Sequence, residues 1–231
     1  MLAPALEHPE AQDFVLAGTT LSARGSGALW WARERLLCVA DLHLGRSARL
    51  ARRGGTLLPP YETLATLERL AGEVAALAPA VVVCLGDSFD DDLAAGELAP
   101  EARARLAGLM AGRRWIWVAG NHDPAPVTLG GAHVAALALG PLKFRHEALA
   151  GAAGEVSGHY HPKLRLSLRG RRLARACFLH DARRVILPAF GAYTGGLAAD
   201  DPALAGLFGP DVAAILTGAP CLRLPLARVA R

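Results

Sequence analysis

Val81-Val82-Val83-Cys84-Leu85-Gly86-Asp87 is the stretch on which the reading of the whole chain turns. Three β-branched residues followed by two more apolar ones predict a buried strand, in a sheet covered on both faces. The run stops on Gly-Asp, so Asp87 sits at the strand's carboxyl end, where open α/β sheets place their ligands. Two other runs end the same way. Leu36-Leu37-Cys38-Val39-Ala40 leads into Asp41-Leu42-His43, and Trp115-Ile116-Trp117-Val118-Ala119 leads into Gly120-Asn121-His122-Asp123. Three strand ends bringing carboxylates, imidazoles and an amide to one edge predict a metal site centred on Asp87.

Outward from these strands the pattern is strand–helix–strand–helix–strand over residues 36 to 119, which implies a mainly parallel sheet in this half. One helix is expected from Tyr61 to about Leu77, opened by Pro59-Pro60, with Leu64, Leu67, Leu70 and Val74 on one stripe. A second is expected near Pro100 to Met110. Phe14 to Trp31, broken by glycines, reads as short strands. In the second half, 142–146 and 164–168 alternate like strands, with a hairpin turn at Arg169-Gly170. Val185–Leu187 and Val212–Leu216 are further strands. A mixed or antiparallel second sheet fits, and no linker divides residues 1–231, so one domain is expected.

Composition narrows the class. The chain has 231 residues, 52% of them hydrophobic, with no uninterrupted apolar segment near membrane-spanning length. The start lacks a basic segment followed by an apolar one, so no secretory signal is read there. Four scattered cysteines form no CxxC pair and imply neither a disulfide framework nor a thiolate metal site. The expectation is a soluble protein of the reducing cytoplasm. Net charge is +4 and only Lys143 and Lys163 are lysines, so the positive charge is nearly all arginine. A basic surface favours anionic partners, nucleic acid among them.

The polar landmarks, in order, are Asp41-x-His43, Gly86-Asp87-x-x-Asp90, Gly120-Asn121-His122-Asp123, His146 and Gly158-His159-Tyr160-His161. Each block alone is common; all five in order resemble the calcineurin-like metallophosphoesterases. The resemblance implies a four-layer α/β/β/α sandwich with two mixed sheets and flanking helices. It implies two divalent cations about 3.5–4 Å apart, which acidify a bridging water and clamp phosphate oxygens. Asp87 would bridge them, Asp41, His43 and His161 would complete the first site, and Asn121, His146 and His159 the second. Two carboxylates leave the pair of cations net positive, as an anionic diester requires. Nitrogen and oxygen ligands fit manganese, iron or zinc, and the family favours manganese. His122 would contact the phosphate and assist the leaving oxygen, with Asp123 orienting its ring. Asp90, Asp91 and Asp92 would support the ligands from behind. His159 and His161, two residues apart, are expected on one face of an extended segment. For the lone histidine ligand, His146 is preferred to His133 and His180, because it ends an alternating strand between the third and fifth blocks.

Further segments are similar to the ligase-associated PdeM-type phosphoesterases: Ala28-Leu29-Trp30-Trp31, Leu44-Gly45-Arg46, Leu58-Pro59-Pro60-Tyr61, Ser88-Phe89, and above all Pro188-Ala189-Phe190-Gly191-Ala192-Tyr193-Thr194-Gly195-Gly196. That family is described as DNA phosphodiesterases or endonucleases of a bacterial repair cluster. The resemblance therefore implies DNA as partner, single-stranded or at damaged ends, alongside an ATP-dependent ligase, a helicase and an exonuclease, and a homodimer is compatible with it. Two positions depart from the family: Asp90 stands where it usually has His, and Ala148 where Pro is common. Substrate contacts would come from Asn121, His122 and Arg46, because Arg46, Arg49 and Arg53 share a face if 46–53 is helical. A second basic run, Arg165 to Arg175, lies on the expected hairpin and reads equally as solvated arginine. Two other functions compete: a small-molecule phosphoesterase acting on a nucleotide, cyclic nucleotide or pyrophosphate, and a scaffold without catalysis, whose signature would be missing ligands.

Overall fold

The computed structural model describes residues 10–54, 61–91, 93–125, 129–168 and 170–226. Two sheets face one another. The first holds seven strands in sequence order: β1 (Ala11–Leu16), β2 (Thr19–Arg24), β3 (Leu29–Trp31), β4 (Leu36–Val39), β5 (Val81–Leu85), β6 (Arg114–Val118) and β7 (Ala132–Val134). Its first four strands pair antiparallel, and from β4 onward the pairing is parallel. The second holds β8 (Leu137–Leu139), β9 (Leu142–Phe144), β10 (Glu155–Ser157), β11 (Lys163–Leu168), β12 (Arg171–His180), β13 (Arg184–Ile186), β14 (Ala213–Leu216) and β15 (Leu222–Pro225). Its path is β15-β14-β12-β13-β10-β9-β8, with β11 paired to β12 alone. Here β10 lies parallel to both β9 and β13, and the other pairings are antiparallel.

Apart from the exposed Arg114 that opens β6, the central strands β4, β5 and β6 are apolar because both faces are covered. Leu36, Cys38, Val83, Leu85, Ile116 and Val118 point inward and meet Phe144, Val156, Phe178 and Val185 of the second sheet. The alternate residues, Leu37, Val39, Val82, Cys84, Trp115 and Trp117, point outward. They are covered by α2 (Glu62–Leu77) and α3 (Pro100–Met110), while α1 (Arg46–Arg52) packs beside α2. Leu67, Leu70 and Val74 of the expected stripe are buried there, each such side chain contributing roughly 1.5–3 kcal/mol. The helix opening expected at Pro59-Pro60 lies outside the described residues. The outer face of the second sheet is covered mainly by irregular chain and the single turn α4 (Pro202–Ala205), with Leu204 and Phe208. The fourth layer is thus thinner than a helix pair.

Two features of the fold escaped the sequence reading. β7, β8, β10 and β15 are three or four residues long, too short for a period-2 pattern to stand out. The segment carrying His159 and His161 is not extended. β10 ends at Ser157, and both histidines have positive φ, 72° and 48°. All four cysteines are buried free thiols, and among the described residues no helix is long and apolar enough to cross a membrane.

Candidate metal centre

Six parallel strands, three from each sheet, direct their carboxyl ends to one place. β4 leads to Asp41 and His43, β5 to Asp87, and β6 to Asn121 and His122. β9 leads to His146, β10 to His159 and His161, and β13 to Pro188–Gly191. The last of these stitches the sheets together. Ala189 bridges Ala40, the Phe190 amide donates to the Ala40 carbonyl (2.8 Å), and the Gly191 amide donates to that of Asp41 (3.0 Å). The Ala192 amide donates to Thr66 Oγ1 on α2 (3.0 Å), and Arg69 stacks on Phe190 at 4.4 Å. The glycine-rich run therefore passes beside the site, and a Cβ on Gly191 would overlap the Leu42 carbonyl.

Three groups of donor atoms result, one of them His43, Asp90 and His122; the other two hold the expected ligands. In one, Asp41, His43 and His161 converge, with His161 Nε2 3.4 Å from Asp41 Oδ1. In the other, Asp87, His146 and His159 converge around Asn121. Asn121 Oδ1 lies 2.8 Å from His146 Nε2 and 3.1 Å from His159 Nδ1. Those two ring nitrogens are 3.1 Å apart, and Asp87 Oδ2 is 3.4 Å from His146 Nε2. The seven side chains expected to be ligands thus share one pocket. His133 and His180, the competitors of His146, are elsewhere: His133 stacks on Trp117 and His180 on Phe14.

The backbone bends hard to achieve this. Asp41, His43, Asp87, His159 and His161 all have positive φ, between 44° and 72°. Such residues cost on the order of 1 kcal/mol or more each and persist where the surroundings hold them. Glycines supply the room. A Cβ on Gly86 would overlap the His146 ring, one on Gly120 would overlap Asp87, and one on Gly158 would come within 2.5 Å of Asp41 Oδ2.

The protonation pattern leaves lone pairs facing inward. His43 Nδ1 lies 2.9 Å from Asp90 Oδ1, while its Nε2 is buried without a hydrogen-bond partner among the described residues. His161 Nε2 is likewise buried and unbonded. His146 places Nδ1 3.3 Å from the Leu85 carbonyl, which leaves Nε2 for the cluster. A carboxylate or carbonyl behind an imidazole fixes the tautomer that a metal ligand needs. Orphaned inward nitrogens beside two carboxylates and an amide oxygen are a donor set that fits divalent cations. Asp87 and His146 also interact with each other. Burial raises the Asp87 carboxyl, but the His146 ring and the His122 amide outweigh it and hold it at about 2. Burial lowers His146, yet Asp87 and Asp41 raise it to about 9.

Two expectations need correction. Asp123 does not orient the His122 ring. Its carboxylate accepts from the backbone amides of Ser88 (2.7 Å), Phe89 (3.1 Å) and Gly120 (3.2 Å), clamping the Asp87 turn to the Asn121 turn. Burial and the Asp87 charge push it up to about 6 despite those amides. The partner of His122 is the Asp90 carbonyl, 2.9 Å from Nδ1, while Nε2 faces Asp87 Oδ2 at 4.0 Å. Second, Arg46 is already engaged, with Nη1 3.2 Å from Asp90 Oδ1 and Arg49 Nη1 2.7 Å from Asp90 Oδ2. Asp90, by contrast, does stand behind a ligand, His43: it is fully buried, and despite burial His43 and the two arginines hold its carboxyl well below the usual range. Asp91 pairs with Arg52 (2.7 Å), and Asp92 lies outside the described residues. A hollow of about 190 Å³ lies behind the Asn121–Asp123 turn, lined by Phe89, Trp117, Asp123 and His133 but by none of the seven clustered side chains.

Two facing mixed sheets with a histidine- and aspartate-rich centre at their joined strand ends define a metal-dependent phosphoesterase, and comparison agrees. Residues 34–173 match the calcineurin-like phosphoesterase family, and the chain belongs to that family. Among solved structures it is similar to the crystal structure of Pseudomonas putida nuclease MPE. That match has 29% identity and a TM-score of 0.71, and covers 92% of this chain and all of the other. No sequence among the curated proteins matches the chain.

Proposed function

We propose that the protein is a two-metal phosphodiesterase acting on DNA, single-stranded or at damaged ends. The observation that carries the reading is the convergence of Asp41, His43, Asp87, Asn121, His146, His159 and His161 on one pocket. The similarity to a nuclease over nearly the whole chain supports a nucleic acid as the substrate, and the PdeM-type resemblance makes it DNA. The segments similar to the PdeM-type enzymes support a place in bacterial repair beside a ligase, a helicase and an exonuclease.

Asp41, His43 and His161 would hold one cation and Asn121, His146 and His159 the other, with Asp87 between them and manganese the favoured metal. When bound, the cations lower the pKa of water and offset charge on the phosphate. The chain's own residues do the rest. Asp90 holds Nδ1 of His43 and so turns Nε2 toward the first site. The Asp90 carbonyl holds Nδ1 of His122, leaving Nε2 at the mouth of the cluster. From there it can give a proton to the leaving oxygen, a step ordinarily worth about 10²–10⁴ in rate. Asp123 keeps the Asp87 and Asn121 turns in register.

The test is hydrolysis of an aryl phosphodiester and of single-stranded DNA with added manganese, with metal content measured on the same preparation. Turnover of both is expected. No turnover of either with metal bound rejects the reading. Turnover of free nucleotides alone would favour a small-molecule phosphoesterase.

A further inference from the structure

The two arginine runs seen in the sequence have opposite fates. On α1, Arg46 and Arg49 are tied to Asp90, and Arg52 to Asp91 and Glu97. Those charges are neutralised locally. On the β11–β12 hairpin the reverse holds. Six cations fall between Lys163 and Arg175, and no acidic residue occurs between Glu155 and Asp181. Arg165 and Arg172 are exposed and form no ion pair among the described residues.

The register sorts the hairpin into two faces. Lys163 is opposite Ala176, Arg165 opposite Ala174, and Ser167 opposite Arg172. Directly opposed residues share a face, so Lys163, Arg165 and Arg172 stand together among small neighbours. The other face carries Leu164 and Leu166, which pack on the outer core of the second sheet. That apolar contact anchors the hairpin and turns its cationic face outward. Only residues 177–180 of β12 pair with the sheet, so the rest of the hairpin projects beyond it.

The cationic face begins at the metal centre. β11 starts two residues after His161 and is held there by Lys163 Nζ donating to the Thr194 carbonyl (3.0 Å). Successive same-face positions then follow about 6.6 Å apart along the strand. A row of unneutralised cations leading away from a phosphoesterase centre matches a chain of phosphates.

We propose that the β11–β12 hairpin is a strand-guiding arm whose Lys163, Arg165 and Arg172 face holds the sugar-phosphate backbone of nucleic acid leading to the metal centre. This rests on the DNA reading above, and the experiment separates the two. The full-length, manganese-loaded Arg165→Ser, Arg172→Ser double variant is compared with the parent protein. Anisotropy gives the affinity for a fluorescent single-stranded oligonucleotide across a salt series, and aryl diester hydrolysis gives the chemistry. The expected result is an affinity about tenfold weaker at low salt and a log–log salt slope shallower by about 1.4, two contacts' worth for a single strand. The aryl diester rate is expected to stay unchanged, and an Arg165→Lys, Arg172→Lys variant to bind like the parent. Unchanged affinity and slope in the Ser variant, with the diester still hydrolysed, would overturn the arm. A Lys variant that binds as weakly as the Ser one would also overturn it, because the arm acts through charge. Loss of the diester rate in the parent itself would instead sink the DNA-phosphodiesterase reading.

Discussion

Asp87 and His122 sit one hydrogen bond apart yet answer to different roles. The Asp87 carboxylate lies in the Asn121 cluster, and its Oδ1 accepts the His122 amide at 2.9 Å. The His122 ring lies instead in a separate donor group, with His43 and Asp90. Asp87→Ala is therefore expected to lose most bound metal, seen by elemental analysis. His122→Ala is expected to keep its metal and lose about 10²–10⁴ in diester turnover. If the Asp87 variant retained two ions at the parent rate, the bridging role would be wrong. Gly158 offers a gentler test. A Cβ there would crowd Asp41 Oδ2 and the Ala40 side chain, so Gly158→Ala should weaken cation affinity at least tenfold, with the far-UV spectrum preserved. Metal titration by calorimetry reads this directly, and parental affinity would show that the Asp41 turn yields without consequence.

At the scale of elements, β10 is the strand the sequence hid and the one the site most depends on. It carries Glu155 into the interior, 1% exposed, beside Arg184, which is 1% exposed too. Glu155 Oε1 is 3.6 Å from Arg184 Nη1, and Oε2 is 3.3 Å from Arg145 Nε. The Leu149 amide donates to both oxygens, and Arg184 Nη2 donates to the Leu149 and Ala152 carbonyls. This knot fixes β10 between β9 and β13, and so fixes His159 relative to His146. Removing one partner of a buried pair strands the other charge, at a typical cost of about 3–5 kcal/mol. Glu155→Ala is expected to lose that much in urea unfolding, and a loss under about 1 kcal/mol would mean the pair is solvated. A short strand containing Glu and Ser gives no hydrophobic signal, which is why its existence was not legible. The long apolar strands β4, β5 and β6 were, because both their faces are covered and almost every residue must be apolar.

For the molecule as a whole, His180 links stability to pH. It is buried between the sheets against Phe14, and its Nε2 has no hydrogen-bond partner among the described residues. Burial first, then Arg223, lower its pKa to about 4, against a smaller opposing effect of Asp181. The unfolded chain binds this proton near pH 6.5 and the folded one only near 4. The unfolded state therefore holds more protons between those values, so stability falls as pH drops from about 6.5 to about 4. The contribution is present in full above about 6.5 and is worth on the order of 3 kcal/mol across that window, at about 1.4 kcal/mol per pH unit. Replacing His180 with Leu should flatten this part of the stability–pH curve. An equally steep curve in the variant would assign the acid sensitivity to other groups.

The sequence by itself determined the chemistry on offer. Three apolar runs, each closing on Asp, Asn or His, foretold parallel strands with polar ends, and five ordered blocks foretold the family. Those features are local: a strand's burial and its terminal residue are written in consecutive positions. Only the tertiary structure decided how the side chains pair across the chain. It placed His146 rather than His133 or His180 beside Asn121, put the Asp90 carbonyl behind His122, and turned Asp123 to backbone amides. It also neutralised the arginines of α1 while leaving Arg165 and Arg172 of the β11–β12 hairpin without an ion pair among the described residues. The reason is physical: charge pairing and imidazole orientation depend on distances between residues from 25 to 118 positions apart, and those distances come into being only when the two sheets close on each other.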